Sequence, residues 1–322
     1  MNLLPFLEPI HAYMEKVEQR LLRASEVEFP LLRVAVQDML MAGGKRLRPA
    51  VAILASQFYE ARADKVVSAA AAIEMLHTAT LVHDDMIDRA NTRRGHPTLN
   101  SRWSGEATVL TGDYMFAVAA SLAAETDSVP VVRIFSQALM TICNGELRQL
   151  LADRSWPPTR EGYDKRIYSK TASLFAASAE AGAVLSATAP EKVEYIRAYG
   201  NNLGIAFQIV DDVLDYTGDP AELGKPVGSD LRQGVVTLPA LYYLQDARSA
   251  SAEAEVRRAA GGDPGAVEKA VAAIVSSGAV EKALKEAAGF ARKAQGALDG
   301  LPDGQSKSIL SQLADYVVAR RT

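Results

Sequence analysis

The 322-residue chain carries 35 lysines and arginines against 39 aspartates and glutamates, a net charge of −4 that excludes a broad basic face for nucleic acid. Apolar residues at 48% and charged residues at 23% exclude disordered and collagen-like classes and leave ample material for a large core. The only cysteine, Cys143, excludes an intramolecular disulfide or a thiolate metal cage and suits a reducing, cytoplasmic compartment.

The first stretch, MNLLPFLEPIHAYMEKVEQR, has Glu8 and Pro9 among its apolar residues and no basic leader before them, so it reads as a first helix rather than a secretory signal. GGKRLRP (43–49) follows, with two glycines ahead of Lys45, Arg46 and Arg48. Residues 66–83 form an Ala-rich run interrupted by Glu74 and His77, which falls short of a membrane span and reads as a helix ending in DDMID. DYMFAVAASLAAE (113–125) and EYIRAYGNNLGIAFQIVDDVLDY (194–216) place apolar residues three and four apart, and period-two runs of Val, Ile and Thr are nearly absent. Prolines stand mainly between such segments, where a first helical turn tolerates them. The pattern predicts an all-α chain, one domain over 1–322. Its longer connections are 88–105, 152–163 and 216–236, all rich in Gly, Pro or charge.

Two stretches answer each other. Asp84, Asp85 and Asp88 in DDMID reappear in kind as Asp211, Asp212 and Asp215 in DDVLD, each triplet closing an apolar helical segment. Residues four apart share a helix face, so Asp84 with Asp88, and Asp211 with Asp215, would repel. Their place toward helix C-termini adds the unfavourable macrodipole. A divalent cation removes both objections, and hard oxygen donors without Cys or clustered His favour Mg²⁺, with Mn²⁺ as substitute. Mg²⁺ takes few carboxylates, so the missing ligands should be phosphate. Lys45, Arg46, Arg48, Arg93, Arg94, Lys170 with Thr171, and Lys225 supply matching phosphate donors.

In order along nearly the whole chain, GGKRLRP, DDMIDRANTRRGHP, GELRQL, SKTASLF, FQIVDDVLDY and GKPVGSDL resemble the motifs of the trans-isoprenyl diphosphate synthase family, in its long-chain polyprenyl branch. The resemblance implies a single helical bundle around a central cavity, a homodimer, and the two Asp motifs facing each other at its mouth. It implies three Mg²⁺ ions, with Asp84, Asp88 and Asp211 as direct ligands and Asp85, Asp212 and Asp215 completing the site. Arg93, Lys170, Thr171, Gln208 and Lys225 would hold an allylic diphosphate, farnesyl or geranylgeranyl, while Lys45, Arg48, His77 and Arg94 would hold isopentenyl diphosphate. Catalysis would rest on Asp84, Asp88, Asp211, Arg93, Lys170 and Lys225. No transmembrane segment is expected, and membrane contact would be transient, for product release. Where the family usually has Lys after GSDLRQG, this chain has Val235, which shifts that contact to Lys225.

Product length should be set along the helix before the first Asp motif. Short-chain members place aromatic rings where Ala79 and Thr80 stand, and Leu76, Ala72 and Ile73 behind them are not aromatic either. The resemblance thus implies a long product, about seven to ten isoprene units at roughly one per helical turn, octaprenyl favoured, with Phe135 and Met140 as candidates for the floor. The alternatives are a short-chain farnesyl or geranylgeranyl synthase, a terpene cyclase, or a non-catalytic regulatory subunit. Retention of all six aspartates argues against the last, and GGKRLRP with Arg94 against a cyclase.

Overall fold

The computed structural model describes residues 4–41, 43–93, 95–151, 156–219 and 226–320. The chain is all-α apart from one short hairpin among the described residues. A 3₁₀ turn (Pro5–Ile10) leads into α1 (His11–Ala24), α2 (Pro30–Met41), α3 (Leu47–Ser56) and α4 (Ala63–Ile87). The hairpin pairs Thr92–Arg93 with His96–Pro97, and α5 (Leu99–Arg102), α6 (Gly105–Ala124), α7 (Val129–Leu151) and α8 (Arg160–Ile167) follow. A π-helical turn (Tyr168–Ala172) runs into α9 (Ser173–Val184) and α10 (Pro190–Thr217). The remainder is α11 (Ser229–Arg232), α12 (Leu238–Ala247), α13 (Ala250–Ala260), α14 (Pro264–Ser276), α15 (Ala279–Ala297) and α16 (Gln305–Ala319).

The chain forms two compact units, each from three stretches: Met1–Met140, Leu174–Gly200 and Ala297–Gln312 in the first, Thr141–Ser173, Asn201–Gly296 and Leu313–Thr322 in the second. In the first unit α4 packs against α1, α3 and α6. Its residues are buried nearly all round, from Val66 through Ala79, so it is a core helix rather than a surface one. Two described helices, α4 and α6, are long and apolar enough to cross a membrane by length and composition. The apolar window of α4 is 78% buried within the fold, whereas that of α6 is only 39% buried. Contact between α4 and α6 depends on Gly112, where a Cβ would lie 2.4 Å from the His83 ring. His83 fills that space against Phe116, with centroids 5.1 Å apart, and so serves packing.

The end of α4 is closed by a Schellman arrangement that holds the first Asp motif. Arg89 N–H donates to Met86 O and Ala90 N–H to Asp85 O, with Arg89 in the left-handed region at φ 52.

In the second unit the C-terminal half of α10 packs with α8 and with α11 to α15. Tyr163, Ile167, Ile209, Val213, Tyr216 and Val267 are among its core residues.

Candidate active site

In the first unit Asp84 and Asp85 occupy the last turn of α4 and Asp88 is its C-cap. They are not equivalent. Asp88 is exposed and Asp84 half-buried, while Asp85 is 2% exposed and turned inward. Arg93 Nε donates to Asp85 Oδ1 at 2.7 Å, and Asp85 Oδ2 is buried with no hydrogen-bond partner among the described residues. Burial pushes the Asp85 carboxyl up, Arg93 pulls it down, and Asp84 and Asp88 push it up again. An orphaned carboxylate oxygen flanked by two more carboxylates at the negative end of a helix suits a hard cation.

Beside it lies a cavity of about 300 Å³ lined by Arg46, Glu74, His77, Asp85, Arg93 and His96, among others. The structure thus brings His77 and Arg93 to one cleft next to the first motif, with His96 on the hairpin opposite Arg93. Arg94 lies outside the described residues. The basic run of GGKRLRP divides. Lys45 and Arg48 are half-buried, and the Arg48 guanidinium stands 4.5 Å from the Phe175 ring centre. Arg46 instead turns into the fold, toward Glu18 and Glu74.

In the second unit Asp211, Asp212 and Asp215 lie in the last turns of α10. Asp212 and Asp215 are buried, while Asp211 is partly open and receives a hydrogen bond from Arg320 Nη2. Arg320 also donates to Phe207 O at 2.8 Å and its guanidinium lies 3.9 Å from the Phe207 ring centre. Asp212 is held from both sides: Tyr163 OH donates to Oδ2 at 2.8 Å and Gln208 Nε2 to Oδ1 at 2.9 Å. Burial and the charge of Asp230 push the Asp212 carboxyl up to about 7 against these donors and Arg166. Asp215 Oδ2 accepts from Asp230 N–H at 3.1 Å, which ties the motif to the start of α11.

Thr171 Oγ1 donates to Gln208 Oε1 at 2.5 Å, so both bind into the Asp212 network. Lys170 Nζ lies 3.3 Å from Glu146 Oε1. Lys170 and Thr171 sit in the π-helical turn, an irregularity that proteins tend to keep at functional sites. Lys225 lies outside the described residues. Val235 is half-buried, its N–H bonded to Asp230 O, and offers no charge.

Among the described residues no group of three or more His, Cys, Asp or Glu side chains could hold a metal ion unaided. Asp85 is turned to Arg93 while Asp84 and Asp88 lie at the open helix end, so a cation here needs oxygens from a ligand and water. The donor set fits Mg²⁺ on those terms.

Behind the first motif, still within the first unit, Ala69, Ala72, Ile73 and Leu76 line an apolar crevice with Phe135 and Leu174, among others. Its volume is only about 10 Å³. Ala79 is fully buried on the same helix, and Thr80 Oγ1 donates to His77 O. Met140 does not belong there: it is 56% exposed, whereas Phe135 is 8% exposed and lines the crevice. Five residues on one helix turn the side chain by about 140°, which points Met140 elsewhere.

The family model described as polyprenyl synthetase matches residues 29–275. The chain belongs to the polyprenyl synthetase family. Heptaprenyl diphosphate synthase component 2 of Geobacillus stearothermophilus is 39% identical over 307 residues, 94% of each chain. Octaprenyl diphosphate synthase of Escherichia coli K12 is 35% identical, covering 99% of both. A crystal structure of polyprenyl synthase from Caulobacter crescentus CB15, complexed with calcium and isoprenyl diphosphate, superposes with a TM-score of 0.93. It is 36% identical and covers 98% of this chain and 97% of that one. As a polyprenyl synthetase the chain is a prenyltransferase of all-α fold.

No local signal gives Tyr163 or Arg320 a role, and Glu74 shows in the sequence only as a break in an apolar run, because their partners Asp212, Asp211 and Arg46 lie 49, 109 and 28 residues away.

Proposed function

We propose that the protein condenses isopentenyl diphosphate head to tail with an allylic diphosphate, farnesyl or geranylgeranyl, and repeats the step to a long trans-polyprenyl product of about seven to ten units, octaprenyl favoured. The observation that carries this is the helix α4 itself: a carboxylate triplet at its end and, behind it, small residues lining an apolar crevice. The heptaprenyl and octaprenyl names of the relatives support the same length class.

Both Asp motifs are assigned to Mg²⁺, three ions by the family resemblance. When bound, the ions would offset charge gathering on the departing diphosphate. Arg93 and Lys170, with Lys225, would donate to the allylic diphosphate as its C–O bond lengthens. Thr171 and Gln208 would support them through the Asp212 network. Lys45, Arg48, His77 and Arg94 would orient isopentenyl diphosphate so that its double bond meets the allylic carbon. The buried apolar faces of α4 would exclude water from the allylic carbocation left as that C–O bond breaks. The released diphosphate takes up the final proton, because no side chain of these motifs stands out as the base.

A homodimer in the cytoplasm is proposed. The uncovered apolar window of α6, with Leu110 67% exposed, supports a second copy, and the single cysteine supports the compartment. The word component in the Geobacillus relative's name favours a second reading, in which this chain is the catalytic half of a two-part synthase.

The test is purified protein with labelled isopentenyl diphosphate and farnesyl diphosphate, with Mg²⁺ or excess chelator, and products sized by chromatography. Long polyprenyl products only with Mg²⁺ are expected. Products that stop at four units would overturn the length class, and inactivity of the chain alone would favour the two-part reading.

A further inference from the structure

The turn between α2 and α3 is built around one buried arginine. Arg46 is 8% exposed, in the left-handed region at φ 49, and stands as the N-cap of α3. Its three guanidinium nitrogens reach three helices. Nε donates to Glu18 of α1 at 2.7 Å, Nη1 to Glu74 of α4 at 2.7 Å, and Nη2 to Leu40 O of α2 at 2.6 Å. Glu74 is 4% exposed. Burial would lower the Arg46 guanidinium, but Glu74 and Glu18 hold it above the ordinary arginine value, so it stays charged.

Stability alone is a poor reason for this arrangement. A buried ion pair roughly breaks even against apolar side chains of the same volume. The left-handed backbone at a residue other than glycine costs about 1 kcal/mol more. What the arrangement does supply is direction. Lys45 is the residue before Arg46, Arg48 is the second residue of α3, and Glu74 is one turn before His77 on α4. Arg46, Glu74 and His77 all line the 300 Å³ cleft. With each guanidinium nitrogen already engaged, Arg46 is not placed to donate to a diphosphate as its neighbours are.

We infer that Glu74, Glu18 and Arg46 form a clamp that positions Lys45 and Arg48 for the diphosphate of isopentenyl diphosphate. Glu74 and Glu18 are positioning residues, acting through Arg46 without touching substrate. The inference rests on the assignment of Lys45 and Arg48 made under the proposed function.

The test compares Glu74→Gln and Glu18→Gln with the parent enzyme in steady-state kinetics, with thermal unfolding as the check on folding. Glu74→Gln should raise the KM for isopentenyl diphosphate about tenfold, leaving kcat and the KM for the allylic substrate within about twofold. Glu18→Gln, at the half-buried end of the clamp, should give the same pattern with a smaller rise. In a Lys45→Ala/Arg48→Ala background, Glu74→Gln should add less than about twofold, because the clamp then has neither basic residue to position. A purely structural role would lower the unfolding temperature and leave the KM of the folded fraction alone. If Glu74→Gln fails to fold, Glu18→Gln decides. Normal KM for isopentenyl diphosphate in a folded variant overturns the clamp. If Lys45→Ala and Arg48→Ala themselves leave that KM unchanged, the site assignment falls and takes the clamp with it. If they raise it while the two glutamine variants do not, the clamp alone falls.

Discussion

Blocking the face of α4 at graded depths should shorten the product in graded steps. The helix rises about 1.5 Å per residue, so Ala79 lies about 7 Å behind Asp84, Ala72 about 18 Å and Ala69 about 22 Å. An isoprene unit spans roughly one helical turn of about 5 Å. An aromatic ring at Ala79 therefore meets the growing tail after the second or third unit, and one at Ala72 near the fourth or fifth. The crevice at Ala72 holds only about 10 Å³, so a tail must already part the side chains there, and a ring leaves it nowhere to go. Ala79→Tyr should thus stop the product at about three units and Ala72→Phe at roughly four to five. Phe135→Ala, which removes a ring from the far wall, should lengthen the product. Overpacking at a fully buried alanine costs about 1 to 3 kcal/mol, so thermal unfolding accompanies each assay. Chain lengths are read by chromatography with farnesyl diphosphate as primer, except that geranyl diphosphate serves for Ala79→Tyr. One unchanged product distribution across all three folded variants, at parental rates, would refute the ruler.

Asp84→Ala and Asp211→Ala should each cut kcat by about a hundredfold or more, and turnover should stop in excess chelator; near-parental kinetics would remove the metal assignment. Tyr163→Phe leaves the buried Asp212 carboxyl short of one donor and should cost about 1 to 3 kcal/mol of stability in denaturant titrations. That loss should be larger at pH 8 than at pH 6, since a carboxyl pushed up to about 7 carries full charge only at the higher pH. Glu180 has its carboxyl pushed up by burial, with Arg197 pulling the other way. A raised folded value means stability that is complete below the unfolded glutamate range and lost as pH rises through the folded value. Glu180→Gln should therefore melt higher than the parent at pH 7.5 and match it near pH 4, and a lower melting temperature at pH 7.5 would contradict the sign.

The helical class and both Asp triplets at helix ends were legible in the sequence because their signals are local. Apolar spacing of three and four marks a helix, and carboxylates four apart share a face wherever the helix packs. Local signals do not say which member of a set turns inward. Tertiary packing alone buries Asp85 against Arg93 and leaves Asp88 open, and divides GGKRLRP into half-buried Lys45 and Arg48 beside inward Arg46. The same holds for depth along α7, where Phe135 lines the crevice and Met140 faces away from it. The sequence by itself determined which chemistry the chain can perform, since residue types and intrahelical spacing carry it. The tertiary structure decided which side chains are held and by what, because Tyr163, Glu74 and Arg320 meet their partners only after segments 49, 28 and 109 residues apart have packed together.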